Sequence, residues 1–392
     1  MTSLQNLKNQ ILSFEKQTNT KNVMGRRMYN RLRSIHLEGG ARKRKRPPSS
    51  SKKRKGLFYD LKKHKFRMSL TLKDVIDDFL KLKELKVNVL QSPWVPKYFQ
   101  TPIPKPLGCS DMKRAGINAS RYFHWKDKIR SRNKIHRSAY TIMKECRQDN
   151  YKRIRKDIKK RSTYFPHTNM ETNFLKWVRY NSSLMTLNNH RPSCTKLLCQ
   201  ILQPDSVLDF SAGWGDRLLG FLASPSVKKV TLVDPRKSAC SNYLKQFRAL
   251  KPYFGRKVKL NVVNGKAEFS LFRIKRKVDF IFTSPPYMNL EHYYDSSKQK
   301  HVVGSSESQV YLDAFLFPAL NASIKLLNDH GVLALNINDP KDTSVCKHVL
   351  DFMARNKTVF LVGTFGYRMP KFRTHHNQVR KTRKSNTLAE PV

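Results

Sequence analysis

The second half of this 392-residue chain predicts an α/β fold, a mostly parallel sheet with flanking helices, and the first half a basic, mainly helical region. Three observations carry that reading. From about residue 193 to 367, short apolar runs alternate with longer stretches of helical spacing, the pattern of strand–helix units feeding a parallel sheet. Where the first run ends, in VLDFSAGWGDRLLG, two glycines flank a tryptophan. Charge also shifts along the chain: of 78 Lys and Arg, 48 lie in residues 1–200, with only 13 of the 28 Asp and Glu.

Taken in order, the chain begins with residues 1–56, a basic arm expected to be largely disordered. Leu4, Leu7, Ile11 and Phe14 have helical spacing in an acid-poor stretch, a loose match to a mitochondrial presequence. The run ARKRKRPPSSSKKRK (41–55) has two basic clusters around Pro-Pro-Ser-Ser-Ser and no apolar period. It resembles a nuclear localisation signal, and serves equally as a DNA-binding arm or a plain basic linker. Residues 57–171 form the basic, mainly helical region. A helical pattern covers Leu57 to about Leu90, followed by the proline-punctuated SPWVPKYFQTPIPKPLG. Arg121 to Arg161 interleaves cations with Tyr122, Phe123, Trp125 and Tyr140. Cations on phosphates and rings against bases suit nucleic acid; the plainer reading makes the rings core and the cations a solvated face.

The α/β part is expected over 172–380, with 381–392 a disordered tail. Ser193–Leu202 reads as a capped helix ended by Pro204. Strands follow at 206–212, 228–235, 257–265, 278–284, 331–339 and 358–367, and helices at 216–223, 237–250, 308–329 and 347–356. Pro318 should kink or split the long helix.

Gly213 and Gly215 stand at the carboxyl end of the first strand, where open α/β sheets bind ligands, and the next helix offers its N–H groups to an anion. Asp234 ends the second strand and can accept the hydroxyls of a ribose. A dinucleotide fingerprint lacks its third glycine, since Asp216-Arg217-Leu218 follow Gly215, which leaves another nucleoside cofactor. The fourth strand then runs into Ser284-Pro285-Pro286-Tyr287, although proline cannot donate to a ladder.

In AGWG, Asp234 and S-P-P-Y, in that order, residues 172–370 resemble the class I S-adenosylmethionine-dependent methyltransferases. Within these they look most like amino-methyltransferases marked by [Asp/Asn/Ser]-Pro-Pro-[Tyr/Phe/Trp], including DNA enzymes of phages and large DNA viruses. The resemblance implies a Rossmann-like, mostly parallel seven-stranded sheet, S-adenosyl-L-methionine as cofactor, and methylation of N6 of adenine or N4 of cytosine, DNA before RNA. It places Asp209 and the Ser211–Gly215 turn (Ser211, Ala212, Gly213, Gly215) at the methionine part and Asp234 at the ribose. After the third strand an acid is usual near the adenine amine; here Lys266 stands in its place in Asn264-Gly265-Lys266-Ala267-Glu268, which leaves the Ala267 backbone.

The chemistry explains the residue types. An exocyclic amine is a poor nucleophile because its lone pair is delocalised into the ring. Acceptors aimed at its two N–H bonds favour a pyramidal nitrogen, and Ser284 Oγ with the Pro285 carbonyl are the expected pair. Pro285 and Pro286 stiffen the loop that presents them, and Tyr287 can stack on the flipped base. No long insertion offers a target-recognition domain, so target choice falls to the basic front half and to Met288–Ser308, an expected mobile loop. RNA N6-adenosine or N2-guanosine methylation fits the same motif order, and a non-catalytic nucleic-acid scaffold is the alternative from another class.

The formal charge of +50 implies a polyanionic partner, nucleic acid above all. The six cysteines form no C-x-x-C pair, so neither a zinc site nor a disulfide framework is expected, and no apolar run is long enough for a membrane span. A nuclear address is expected from the basic arm, with cytoplasm (a viral factory) or mitochondrion as alternatives.

Overall fold

A computed structural model describes residues 57–60, 65–86, 89–91, 107–109, 115–133, 138–141, 190–286, 291–292, 308–337, 344–361, 365–368 and 389–391. The basic arm, the presequence-like pattern, most of the basic stretch beyond residue 141, Tyr287 and most of the Met288–Ser308 loop lie outside them.

Five parallel strands form the central sheet: β1 (Ser206–Asp209), β2 (Lys229–Asp234), β3 (Lys259–Asn264), β4 (Val278–Thr283) and β5 (Leu327–Leu335). Their spatial order is β5-β4-β1-β2-β3. The chain therefore winds outward from β1 to β3, then returns to the other side of β1 with β4. That reversal opens a crevice at the carboxyl ends of β1 and β4, the switch point where doubly wound sheets take their ligands. This is the Rossmann-like class I arrangement, with five strands rather than seven among the described residues.

Consecutive apolar residues make the central strands because both faces are covered. Val207, Val230, Leu232, Phe280 and Phe282 face one core, and Leu208, Val233 and Ile281 the other. The first core is closed by α3 (Pro192–Leu202), α4 (Asp216–Leu222) and α5 (Lys237–Leu250). The second is closed by α6 (Ala267–Ser270), α7 (Phe317–Lys325) and α8 (Val345–Ala354). Helices α3 and α4 touch backbone to side chain: a Cβ on Gly220 would stand 2.3 Å from Thr195 Cβ and 2.6 Å from the Pro192 carbonyl oxygen.

Two helices of the front half belong to the same core. In α1 (Leu72–Glu84), a capping box of Thr71 and Asp74 starts the helix, and Val75, Phe79 and Leu82 form its buried stripe. Lys196 of α3 donates to the carbonyls of Leu82 and Leu85, each at 2.8 Å, and of Lys83, closing the end of α1. At the start of α2 (Ile117–Arg130), Asp78 of α1 accepts the Asn118 N–H at 2.9 Å. Val75, Phe79, Leu82 and Ala119 pack with Leu197, Leu219 and Val230 in one cluster, so the basic region is welded to the sheet.

Several elements differ from the sequence reading. The helix expected across 57–90 is confined to 72–84; Leu57–Asp60 and Lys65–Met68 instead form a hairpin, and Val89–Gln91 a strand. The long helix, by contrast, is split as expected of Pro318: a π segment at Leu312–Leu316 precedes it directly, a local rewinding that accommodates its missing N–H. The sixth strand does not join the parallel sheet. Phe360 and Leu361 are exposed, and the strand Phe365–Arg368 pairs with Leu107–Cys109 in a separate four-stranded sheet. Ala389–Pro391, in the tail expected to be disordered, is the antiparallel partner of Phe365–Arg368.

Candidate active site

The carboxyl ends of four strands converge on the crevice. After β1 the backbone turns sharply, with φ of +59° at Gly213 and +73° at Gly215. Only glycine takes such values without strain. A Cβ on Gly213 would have nothing nearer than 3.7 Å, so the turn is open at that point. Gly215 is crowded instead: Gln246 Oε1 would lie 2.4 Å from a Cβ there. The Ala212 N–H donates to the Val233 carbonyl at 3.3 Å and the Gly265 N–H to the Asp234 carbonyl at 3.1 Å, tying the three loops together.

Asp209 lies beneath this turn, fully buried. Arg217 Nε donates to its Oδ2 at 2.7 Å, Arg217 Nη2 reaches its Oδ1 at 3.3 Å, and the Ser211 N–H donates to Oδ1 at 3.2 Å. Arg217 Nη2 also donates to the Ser211 carbonyl. Burial opposes the guanidinium charge, but Asp209 outweighs it and raises the Arg217 pKa. The pair braces the turn from inside, and the Asp209 carboxylate is taken up by Arg217 and the Ser211 N–H.

Asp234 is 3% exposed. Arg236 offers its N–H and Nε to Oδ1, at 2.9 and 3.0 Å, and Nη2 to Oδ2 at 2.9 Å. The Tyr243 hydroxyl donates to Oδ2 at 2.8 Å, with the Gly213 carbonyl 2.6 Å away. Burial, then the Asp234 carboxylate, holds the Tyr243 phenol well above its usual pKa and keeps it a donor. A carboxylate has about four acceptor positions, and here all are taken.

Trp214, the residue between the two glycines, is buried under α2. The Arg236 guanidinium lies 4.6 Å and Lys128 Nζ 5.3 Å from its ring, while His124 meets it edge-on at 6.0 Å. His124 is fully buried; burial first, then Lys128 and Arg236, push its pKa well below the usual value, so the ring is neutral. It faces Gln246 of α5 without a well-formed hydrogen bond. The aromatics of α2 are therefore chiefly core: Tyr122 and Phe123 pack against the sheet cluster.

Ser284, Pro285 and Pro286 leave the end of β4, Pro285 buried and its neighbours half-buried. Val207 pairs with Phe280 and Leu208 with Ile281, in parallel, so the turn after Asp209 and the turn after Thr283 leave adjacent strands at the same end of the sheet. On the other side, the Asn336 N–H donates to the Thr283 carbonyl at 2.9 Å. Asn336 is 4% exposed, and its Oδ1 has no hydrogen-bond partner. Beyond the motif, Glu291 and His292 pair antiparallel with Asn133 and Arg132, so the chain after the S-P-P turn pairs with the segment that follows α2 in the basic region.

Ala267 opens α6 with its side chain in the core, and burial raises the pKa of neighbouring Glu268. Asn264 spans the loops, its amide donating to the Asp234 and Pro235 carbonyls at 3.0 Å each. Ser211, Ala212, Gly213, Gly215, Asp234, Ala267 and Ser284–Pro286 thus share one edge of the sheet. Arg217, Arg236, Tyr243 and Asn336 join them. The first three escaped the sequence reading because they act through two acids already singled out. Asn336 had a signal, the strand-ending run LNIND.

The cradle at Gly213, open where a Cβ would stand, fits the close approach of the amino-acid end of a nucleoside cofactor, while the Ser211, Ala212 and Gly215 N–H groups are spent on holding the turn. The Asp234 carboxylate fits a ribose only when Arg236 gives up its place. Among the described residues no cluster of His, Cys, Asp or Glu could hold a metal ion, and no helix is long and apolar enough to cross a membrane.

No family model and no curated relative matches the chain. Solved structures that resemble it include a protein assigned as an rRNA methylase from Clostridium thermocellum, at 17% identity and a TM-score of 0.29, covering 48% of this chain and 84% of that one. An S-adenosylmethionine-dependent methyltransferase from Clostridium acetobutylicum aligns at 16% identity and TM-score 0.28, covering 42% and 56%. One from Agrobacterium tumefaciens aligns at 12% identity and TM-score 0.33, covering 54% and 63%. The fold assignment rests on the strand order itself.

Proposed function

We propose that the chain is an S-adenosylmethionine-dependent methyltransferase acting on an exocyclic amine of a nucleic-acid base, N6 of adenine or N4 of cytosine. One observation carries this reading: the Ser284-Pro285-Pro286 turn leaves the carboxyl end of β4, and the Ser211–Gly215 turn leaves the same end of its parallel neighbour β1, at the switch point. A methyl donor held by one turn would face an amine held by the other.

On this reading the Ser211–Gly215 turn, open at Gly213, faces the methionine end, Asp234 the ribose, and the Ala267 backbone the adenine edge. Bound there, the cofactor supplies an electrophilic methyl group. Ser284 Oγ and the Pro285 carbonyl accept the two N–H bonds of the target amine and hold its lone pair in line. No strong base is needed, because the proton can leave after transfer, and rate comes from positioning. Asn336, with an unfilled acceptor beside the motif, is placed to take a further donor from the base. Tyr287 keeps its expected stacking role. The rung between Glu291–His292 and Arg132–Asn133 links this side of the site to the basic front half, the proposed grip on DNA, or on RNA as the second substrate. The basic run at 41–55 remains a proposed nuclear address.

A specific observation favours a second reading, the non-catalytic scaffold: the Asp234 carboxylate is fully engaged by the chain itself. Calorimetry with S-adenosylmethionine separates the two. Binding followed by transfer of labelled methyl to DNA or RNA supports the enzyme; absence of both supports the scaffold.

A further inference from the structure

Two aromatic rings stand in water where the chain leaves β3. Phe269 is 63% exposed and Phe272 60%, the highest values among the exposed large hydrophobic residues described. They lie three residues apart, on α6 and the 3-10 turn Leu271–Arg273 that continues it, and so share one face. The opposite face is ordinary core: Ala267 and Leu271 are 3% and 1% exposed and pack against α7 and the sheet. A short surface helix normally puts polar residues where these phenylalanines stand.

The exposed charges of the same segment have one sign. Arg273, Lys275, Arg276 and Lys277 follow directly and are exposed, and Lys266 precedes. The one acid of the segment, Glu268, is turned inward at 6% exposure, and burial raises its pKa. The exposed face of 266–277 therefore presents two rings and a run of cations with no carboxylate. Its start is hydrogen-bonded to the site, through the Gly265 N–H on the Asp234 carbonyl, and its end re-enters the sheet at Val278, the amino end of β4. Rings and cations thus form a track from the site edge across the molecule.

We propose that this face binds a single-stranded polynucleotide, with Phe269 and Phe272 stacking on unpaired bases and the cations of 273–277 on the phosphates. Ring faces reach bases only where the duplex is open, whereas cations alone accept either form. A protein partner for an apolar pair would have no need of four cations beside it. The inference rests on the proposed function only in the direction of the track; binding itself requires no methyl transfer.

The test uses the full chain with fluorescent oligo-dT and oligo-rU of about 15 nucleotides, and a duplex of the same length. Phe269→Ala/Phe272→Ala should weaken single-strand binding about tenfold or more and leave duplex binding and the melting temperature unchanged. Phe269→Leu/Phe272→Leu should lose as much, since leucine keeps apolar area but cannot stack. Arg273→Gln/Lys275→Gln/Arg276→Gln should lower the dependence of log K on log salt by about 2 to 3. Equal loss on duplex and single strand, full binding by the leucine variant, or wild-type self-association abolished by the alanine variant would each overturn the proposal. An inactive protein that keeps the ring-dependent preference would sink the enzyme reading and leave this one standing.

Discussion

Arg236 closes over Asp234: three of its donors reach the two carboxylate oxygens at 2.9 to 3.0 Å, while its guanidinium rests 4.6 Å from the Trp214 ring. The acid expected to receive a ribose is thus already paired, and any nucleoside there competes with a side chain two residues away. Replacing Arg236 by Gln removes the competing fork. S-adenosylmethionine affinity, measured by calorimetry, should rise about three- to tenfold, part of the worth of a charged hydrogen bond. A fall in affinity would show instead that Arg236 itself holds the ligand.

Asn336 gives a test in which stability and activity move apart. A buried acceptor without a partner costs about 1–3 kcal/mol. Asn336→Ala should therefore melt no lower than wild type, yet lose about tenfold in turnover if Oδ1 serves the substrate. Lost stability with unchanged turnover would make Asn336 a structural residue.

At Gly220, propensity and packing predict opposite signs. Gly→Ala in a helix usually gains about 1 kcal/mol. Here the new Cβ would collide with Thr195 and the Pro192 carbonyl, both fixed by α3. Gly220→Ala should destabilise by about 2 kcal/mol or more in urea unfolding; a gain would mean that α3 and α4 are not in contact.

Two histidines make the fold sensitive to mild acid. His124 packs among Trp214, Tyr243 and Gln246, and burial, Lys128 and Arg236 depress its pKa. His190 lies edge-on to Phe282, bonded to Thr195 at 2.9 Å, with its pKa depressed by burial, Arg217 and Arg191. Below about pH 6.5 the unfolded chain takes up both protons and the folded chain does not. Stability should therefore fall as pH drops from 6.5 to 5.5, by about 1 kcal/mol for each ring, the slope steepening toward its limit of about 1.4 kcal/mol per pH unit. His124→Gln should remove about half of that slope, and a flat profile would contradict the burial.

How much was legible follows from what each residue needs. Phe280, Ile281 and Phe282 read as a buried strand because a covered strand is apolar on both faces, and the S-P-P turn stood out because proline ends ladders. Val75, Phe79 and Leu82 announced a buried stripe, but a stripe does not say what covers it, and the sheet core proved to be the answer. Thr358–Leu361 is as apolar as a strand, yet Phe360 and Leu361 lie exposed, since its place in a sheet depends on partners far away in sequence. Asp209 and Asp234 were visible; that Arg217 and Arg236 occupy them is set by side-chain geometry within tight turns, which no periodicity reports.

The central claim is that Ser284 and the Pro285 carbonyl present an amine to a methyl donor across the switch point. Wild type and Ser284→Ala, incubated with methyl-labelled S-adenosylmethionine and DNA or RNA, should be compared by mass spectrometry of the digested nucleosides, with donor affinity measured on both. Wild type should yield N6-methyladenine or N4-methylcytosine, the variant about 10²-fold less, and both should bind the donor equally. Equal product from both proteins, or methyl transfer to a ring carbon rather than an exocyclic amine, would contradict it.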